Sequence, residues 1–252
     1  MIRQSVIMLA AAASLAFAPA GAAAEEMENP IAVVELFTSQ GCSSCPPADA
    51  FLGDLVKRGD VVALAYHVDY WDYLGWRDTL ASAENTARQR AYGRSFGASS
   101  VYTPQMIVNG RTHMAGSRRA AVMNAIEDRL GTPEGLTVDL SASYAGDNIV
   151  IEAGPGDNGK RKAHVVLVSF DAKHVVDVKR GENSGRSLTY HNAVRAVQTV
   201  GVWKGKEARF ELPMSEVAEK GTGGCAVLLQ AVNPDGLPGP ILGATMVVFP
   251  SG

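Results

Sequence analysis

Two cysteines separated by two serines, Cys42-Ser-Ser-Cys45, are the residues whose type and spacing best suit chemistry. A thiolate is both a nucleophile and a metal ligand, and two thiols three residues apart can close into a disulfide and reopen. Cys42 comes first, nearer an open end, and is the expected nucleophile. Cys45 is placed to close back onto a mixed disulfide as the resolving thiol. Three readings follow from the pair. It exchanges disulfides with protein or small-molecule thiols, or it binds Cu or Zn with His67 or His113, since soft thiolates and imidazole suit Cu(I) and Zn. In the third it is a permanent structural bridge in a non-catalytic binding module.

Positioning this pair needs a strand before it and a helix after it. Ile31 to Phe37 is a short apolar run of the buried parallel-strand kind, and Ala48, Leu52, Leu55 and Val56 recur at helical spacing. Pro46 and Pro47 lack N–H groups, so they fix the first turn of that helix. The unpaired N–H groups of a helix start favour a thiolate. Val61 to Tyr66 reads as a second buried strand, which closes a right-handed crossover. Two parallel strands end at one sheet edge, so His67, Asp69, Tyr70, Trp71 and Asp72 are expected beside the cysteines. His67 could stabilise the Cys42 thiolate or transfer protons, or it could simply cap its strand. The rings of Tyr70 and Trp71 could wall a peptide groove or lie as a lid on the core.

A helix from Ser82 to Phe96, a strand from Thr103 to an Asn109-Gly110 turn, a return strand near Arg111 to Ala115 and a helix capped by Ser117 complete a βαβαββα order. Ala121, Ile126 and Leu130 mark the apolar stripe of that last helix. Gly131 to Gly135 is the expected boundary. Beyond it the apolar period becomes two, with short strands at Leu136–Ala142, Ile149–Ile151, Ala163–Phe170, Val175–Lys179, Ala193–Val202, Ala208–Leu212, Ala226–Val232 and Ala244–Phe249. That pattern predicts a β-sandwich.

At the start of the chain Arg3, an apolar stretch from Val6 to Phe17 and the small residues Ala22 to Ala24 read as a signal peptide cleaved after Ala24. The run is shorter than the roughly 20 residues a spanning helix needs. Export to a periplasm or the medium is therefore expected, with no membrane anchor after cleavage. The formal charge is −3, and losing Arg3 takes the mature chain to −4. No basic cluster points to nucleic acid. Three cysteines are too few for a disulfide scaffold. Cys225, which opens an apolar strand, is read as a small core residue, the other reading being a third redox partner for Cys42 or Cys45.

Val33-Val-Glu-Leu-Phe37, Cys42-Ser-Ser-Cys45 and Thr103-Pro104 resemble the thioredoxin superfamily. Phe37 to Pro47, Tyr66 to Trp71, Arg180-Gly-Glu-Asn183 and Tyr190-His-Asn192 extend the resemblance across nearly the whole mature chain, to an exported bacterial family known as domain of unknown function 1223. The resemblance implies an α/β thioredoxin-like domain at residues 25–133 followed by an all-β sandwich-like domain at 134–252. The cofactor expectation is none beyond a redox-active Cys42–Cys45 disulfide, with Cu or Zn as the alternative. The resemblance also implies that Pro104 is a cis-proline facing the cysteines and that the Thr103 backbone pairs with a bound peptide. Glu35 sits near the position of the buried carboxylate of thioredoxins, one residue further from the first Cys, so it either carries a proton for Cys45 or faces outward and does nothing. The Arg180–Asn183 and Tyr190–Asn192 segments either serve the surface of the second half or dock onto the cysteine-bearing half.

Overall fold

The computed structural model describes residues 25–27, 29–157, 162–218 and 221–249. The signal-peptide expectation for residues 1–24 lies outside them. Strands β1 (Glu25–Met27), β2 (Ala32–Thr38), β3 (Val61–His67), β4 (Gln105–Val108) and β5 (Thr112–Ala115) and helices α1 (Pro46–Arg58), α2 (Ala83–Ser95) and α3 (Arg119–Glu127) make up the first half. The second half contributes β6 (Leu140–Ala145), β7 (Asn148–Ala153), β8 (Ala163–Asp177), β9 (Ser187–Trp203), β10 (Ala208–Pro213), α4 (Met214–Ala218), β11 (Gly224–Val232) and β12 (Pro238–Val248).

Strands β2 and β3 are parallel and buried along their whole length, in a register that sets Thr38 beside His67. Burial of both faces explains why their sequences show no alternation. Even-numbered β2 residues and odd-numbered β3 residues face α1 and α3, in a core of Val34, Leu36, Ala63, Ala65, Leu52, Leu55 and Ile126. Val33, Phe37, Leu64 and Tyr66 face the other way, towards Tyr92 of α2 and the strands β8, β11 and β12. This strict alternation decides below which polar residues can reach the cysteines.

The nine-stranded mixed sheet runs in the order β1-β12-β11-β8-β9-β3-β2-β4-β5. Gly131 to Gly135 marks the change of periodicity, but the sheet is continuous across the two halves, joined where β9 meets β3 at Ala65 and Ala193. There Asn192, in the left-handed region at φ 46°, donates its side-chain N–H to the Ala63 carbonyl at 2.9 Å. A second sheet, β10-β7-β6, packs through Leu140, Ile149, Ile151 and Leu212 onto Val165, Leu167, Val227 and Leu229. The second half therefore packs a three-stranded sheet on part of a large mixed sheet that also carries β2–β5 of the first half.

Three local expectations need correction. Residues 163–177 form one strand, β8, and not two, because its antiparallel pairing with β9 continues from Ala163 to Asp177 past two bulges. The cap of α3 falls on Arg118 with no side-chain hydrogen bond, and Ser117 does not cap it. Leu130 lies beyond the end of α3 and is 45% exposed, so Val122, Ala125 and Ile126 carry the buried stripe. Ser82 does cap α2, its hydroxyl accepting the Asn85 N–H at 3.1 Å.

Candidate functional site

Strand β2 ends at Thr38, and the chain turns through Ser39, Gln40 and Gly41 into the cysteines. Cys42 and Cys45 are joined by a disulfide with their Cα atoms 5.4 Å apart. The Cys42 N–H donates to the Ser39 carbonyl, and the Cys45 N–H to the Cys42 carbonyl, so the loop is a pair of tight turns. Cys45 is the N-cap of α1, and its carbonyl accepts the N–H groups of Ala48 and Asp49 at 2.8 and 3.1 Å. Pro46 and Pro47 occupy the first two helical positions. They remove two of the donors that a helix start offers, so α1 acts on the sulfurs through its dipole more than through direct N–H contacts. Cys42 is 1% exposed and Cys45 is fully covered.

Beneath the disulfide lies a buried polar cluster on the α1 side of the sheet. Asp49 is four residues after Cys45, so it shares that face of the helix. Its Oδ1 accepts the Thr38 hydroxyl at 2.7 Å, and its Oδ2 has no hydrogen-bond partner. Burial is the largest influence on this carboxyl and pushes its pKa up to about 7, against the Thr38 hydrogen bond and the charge of His67. His67, on the same face at the end of β3, bonds Asp78 through Nδ1 at 2.8 Å. Asp78 loses by burial but gains more from His67 and from the N–H groups of Gln40 and Leu80, so its pKa is lowered. An ionised carboxylate can only accept, so Nδ1 of His67 carries a proton. Its Nε2 is buried without a partner, as is the hydroxyl of Tyr190, whose ring meets the imidazole edge-on at 4.5 Å. Burial and the charges of Asp49 and Asp78 raise the Tyr190 phenol far above its ordinary value. Asp49, His67 and Tyr190 thus leave three unpartnered polar atoms in one buried cluster on the α1 side of the sheet.

Asp78 also ties this cluster to the cysteine loop, because its Oδ2 accepts the Gln40 N–H as well as His67. Gln40 is fully buried and accepts the Trp76 indole N–H at 2.8 Å. On the other side of the loop, the Trp71 indole N–H donates to the Thr103 hydroxyl at 2.8 Å, and Trp71 crosses Gly41 so closely that a Cβ there would lie 3.2 Å from its own Cβ. Thr103–Pro104 is a cis peptide bond. Since β4 pairs antiparallel with β2, Gln105 opposite Phe37, Pro104 lies at the sheet edge where the cysteine loop begins. Tyr70 lies beside Trp71 with the rings tilted and their centroids 6.2 Å apart, and lines a separate cleft against α2. Asp69 is occupied by Thr86 of α2, and Asp72 accepts the Asp78 N–H, so both serve the loop's own structure.

Glu35 is on the far side. As an odd-numbered β2 residue it faces Tyr92, where Arg88 pairs with it at 2.8 Å and Tyr92 donates to it. Alternation along the strand turns it away from α1 and from the face that carries Asp49. The carboxyl beneath Cys45 comes from the helix, as Asp49. Its signal in the sequence was an acidic residue in the first turn of α1, four positions after Cys45. His113 bonds the Tyr102 hydroxyl and packs its ring at a tilt against Phe96. Among the described residues, no group of three or more His, Cys, Asp or Glu side chains converges to hold a metal ion. Cys225 is buried in the sandwich, and burial pushes its thiol up to about 12.

The tip of the β8–β9 hairpin lies over the cysteine loop. Asn183 is fully buried, and its side-chain amide donates to the carbonyls of both Gln40 and Cys42 at 3.0 Å. The Ser43 N–H donates to Glu182 at 3.2 Å. Below the tip, the His191 ring packs on Gly53 of α1, where an added Cβ would lie 2.8 Å from it. Of the two readings of these segments, docking onto the cysteine-bearing half is the one the contacts support.

No protein of curated function matches the chain. A crystal structure of a protein from Agrobacterium tumefaciens is similar to it, with 45% sequence identity and a TM-score of 0.80, covering 89% of this chain and 97% of that one. The family model described as "Protein of unknown function (DUF1223)" matches residues 33–230, and the chain belongs to that family.

Proposed function

We propose that the protein is an exported thiol–disulfide oxidoreductase that exchanges disulfides through Cys42 and Cys45 in a thioredoxin-like arrangement. The observation that carries this reading is the unpartnered carboxyl of Asp49, held near neutral pKa one helical turn below Cys45. A structural bridge has no use for such a group, and leaving it buried is unfavourable to folding. Exchange does use it. With a partner joined to Cys42 as a mixed disulfide, Cys45 gives its proton to Asp49 and attacks the Cys42 sulfur. The bond between Cys42 and the partner breaks, and the partner leaves as a thiolate that takes a proton from solvent. The reverse sequence oxidises a dithiol partner and reduces Cys42–Cys45. His67 and Asp78 pair beside Asp49, and Thr103–Pro104 with Trp71 forms the wall along which a peptide thiol or disulfide approaches.

In this reading residues 25–133 carry the chemistry, residues 134–252 supply the sandwich and the hairpin over the site, and the mature chain after Ala24 works in the periplasm or outside the cell. No helix among the described residues is long and apolar enough to cross a membrane. The test is turnover with a disulfide-bonded peptide and a thiol reductant. Wild type turns over, Cys42→Ser does not, and Cys45→Ala accumulates a mixed disulfide through Cys42. Equal residual rates in all three would refute the proposal. One observation favours a permanent structural disulfide, namely the burial of both sulfurs. A reduction potential below about −300 mV is what that alternative requires.

A further inference from the structure

The burial of Cys42 poses a question of access. At 1% exposure its sulfur meets no incoming thiolate until something beside it moves. Besides the 71–79 segment, the element bonded to the cysteine loop is the β8–β9 tip, through Asn183 and Glu182. Residues 179–187 are exposed except for Asn183, so the tip has almost no apolar burial of its own. Its base is different. Val178 and Leu188 are buried against Leu80 and Tyr190, and the Val178 N–H donates to the Arg186 carbonyl at 2.9 Å. Gly181 and Gly185, at φ 76° and 80°, bracket Asn183 with backbone that side-chain-bearing residues rarely adopt. The result is a short segment anchored at its base and pinned at its tip by a few hydrogen bonds, the kind of unit that opens locally while the rest stays folded.

We propose that this tip is a strap that must lift before Cys42 exchanges, with Asn183 as the positioning residue that holds it shut. The proposal rests on the exchange reading above and adds what controls it. The Asn183 amide grips the carbonyls on both sides of Gly41, so the strap's closure and the loop's shape are one contact. Glu182 adds a carboxylate beside Ser43, which disfavours a Cys42 thiolate while the strap is down. Access is thereby restricted to partners that arrive when the strap is up.

Reduction by dithiothreitol tests this directly. A dithiothreitol thiolate attacks the Cys42 sulfur, the Cys42–Cys45 bond breaks, and Cys45 leaves as a thiolate that is then protonated. The second dithiothreitol thiol displaces Cys42, so two electrons pass to the protein and cyclic oxidised dithiothreitol departs. Rates are read by acid quenching and alkylation of purified full-length mature protein, in the forward direction with dithiothreitol and in reverse with its oxidised form. Asn183→Ala is expected to accelerate both directions by about 10- to 30-fold, as its two hydrogen bonds to the cysteine loop are lost. Gly185→Ala is expected to accelerate both by about fivefold, because nothing lies within 4 Å of its Cβ and only the closed backbone is strained. The ratio of the two rates, and with it the potential, stays as in wild type. Gly185→Ala carries the test even if Asn183→Ala does not fold. Unchanged rates in Gly185→Ala, or a change in one direction only, would overturn the strap. Failure of the exchange reading would show separately, as absent turnover and a very low wild-type potential.

Discussion

Asp49→Asn should reverse the sign of its effect on stability between acid and mildly alkaline pH. An acid whose folded pKa lies above its unfolded value favours folding while it is protonated. Here the shift runs from 3.8 to about 7. The stabilising contribution is full below about pH 4, falls as pH rises towards 7, and is gone above it. About 3 units at 1.36 kcal/mol each make about 4 kcal/mol between those limits. The substituted amide keeps an acceptor for the Thr38 hydroxyl and stays neutral at every pH. It also points an N–H group where Oδ2 had no partner, which costs about 1–2 kcal/mol. The variant should therefore be about 1–2 kcal/mol less stable than wild type at pH 4 and about 2–3 kcal/mol more stable at pH 8.5. Urea unfolding of the oxidised proteins at both pH values measures this. A wild-type-to-variant difference that is the same at pH 4 and pH 8.5 would refute the reasoning, since the carboxyl would then titrate alike in both states. The stabilised variant should be slow to resolve mixed disulfides at pH 7, having lost the group that takes the Cys45 proton.

Glu35→Gln should destabilise the fold by about 3 kcal/mol, because it strips the ion-pair partner from a largely buried Arg88, while the rate of Cys42–Cys45 reduction stays at the wild-type value. A slowed reduction rate in that variant would place Glu35 in the exchange chemistry after all. Cys225, with its thiol pushed up to about 12, should resist iodoacetamide at pH 8 in the native protein and react fully in urea, as peptide mass mapping can read. Glu182→Gln should lower the Cys42 thiol pKa of the reduced protein by a few tenths of a unit, less at high salt, in a thiolate-absorbance titration.

The elements around the cysteines were legible because local rules and tertiary packing agree there. Buried parallel strands write themselves as continuous apolar runs, and two prolines after Cys45 mark one start for α1. His67 and Trp71 could be placed at the sheet edge because parallel strands end together. The choice of carboxylate was not legible in the same way. Glu35 and Asp49 both lie in apolar surroundings near the motif, and only the facing of β2 separates them. That facing shows no alternation because both sides of β2 are buried. The joining of β9 to β3 was hidden for another reason. It depends on one parallel contact and on Asn192 at positive φ, neither of which leaves a periodic trace. Asn183 was visible as part of a polar patch, but its partners lie more than 140 positions away in the chain.

The reduction potential of Cys42–Cys45 tests the central claim most directly. It can be measured by equilibrating the purified protein in glutathione and dithiothreitol buffers and counting alkylated Cys42 and Cys45 by mass. An exchanging pair is predicted to lie between about −120 and −270 mV, the range spanned by disulfide oxidants and reductants. A value below about −300 mV would contradict the account and make the disulfide a permanent part of the fold.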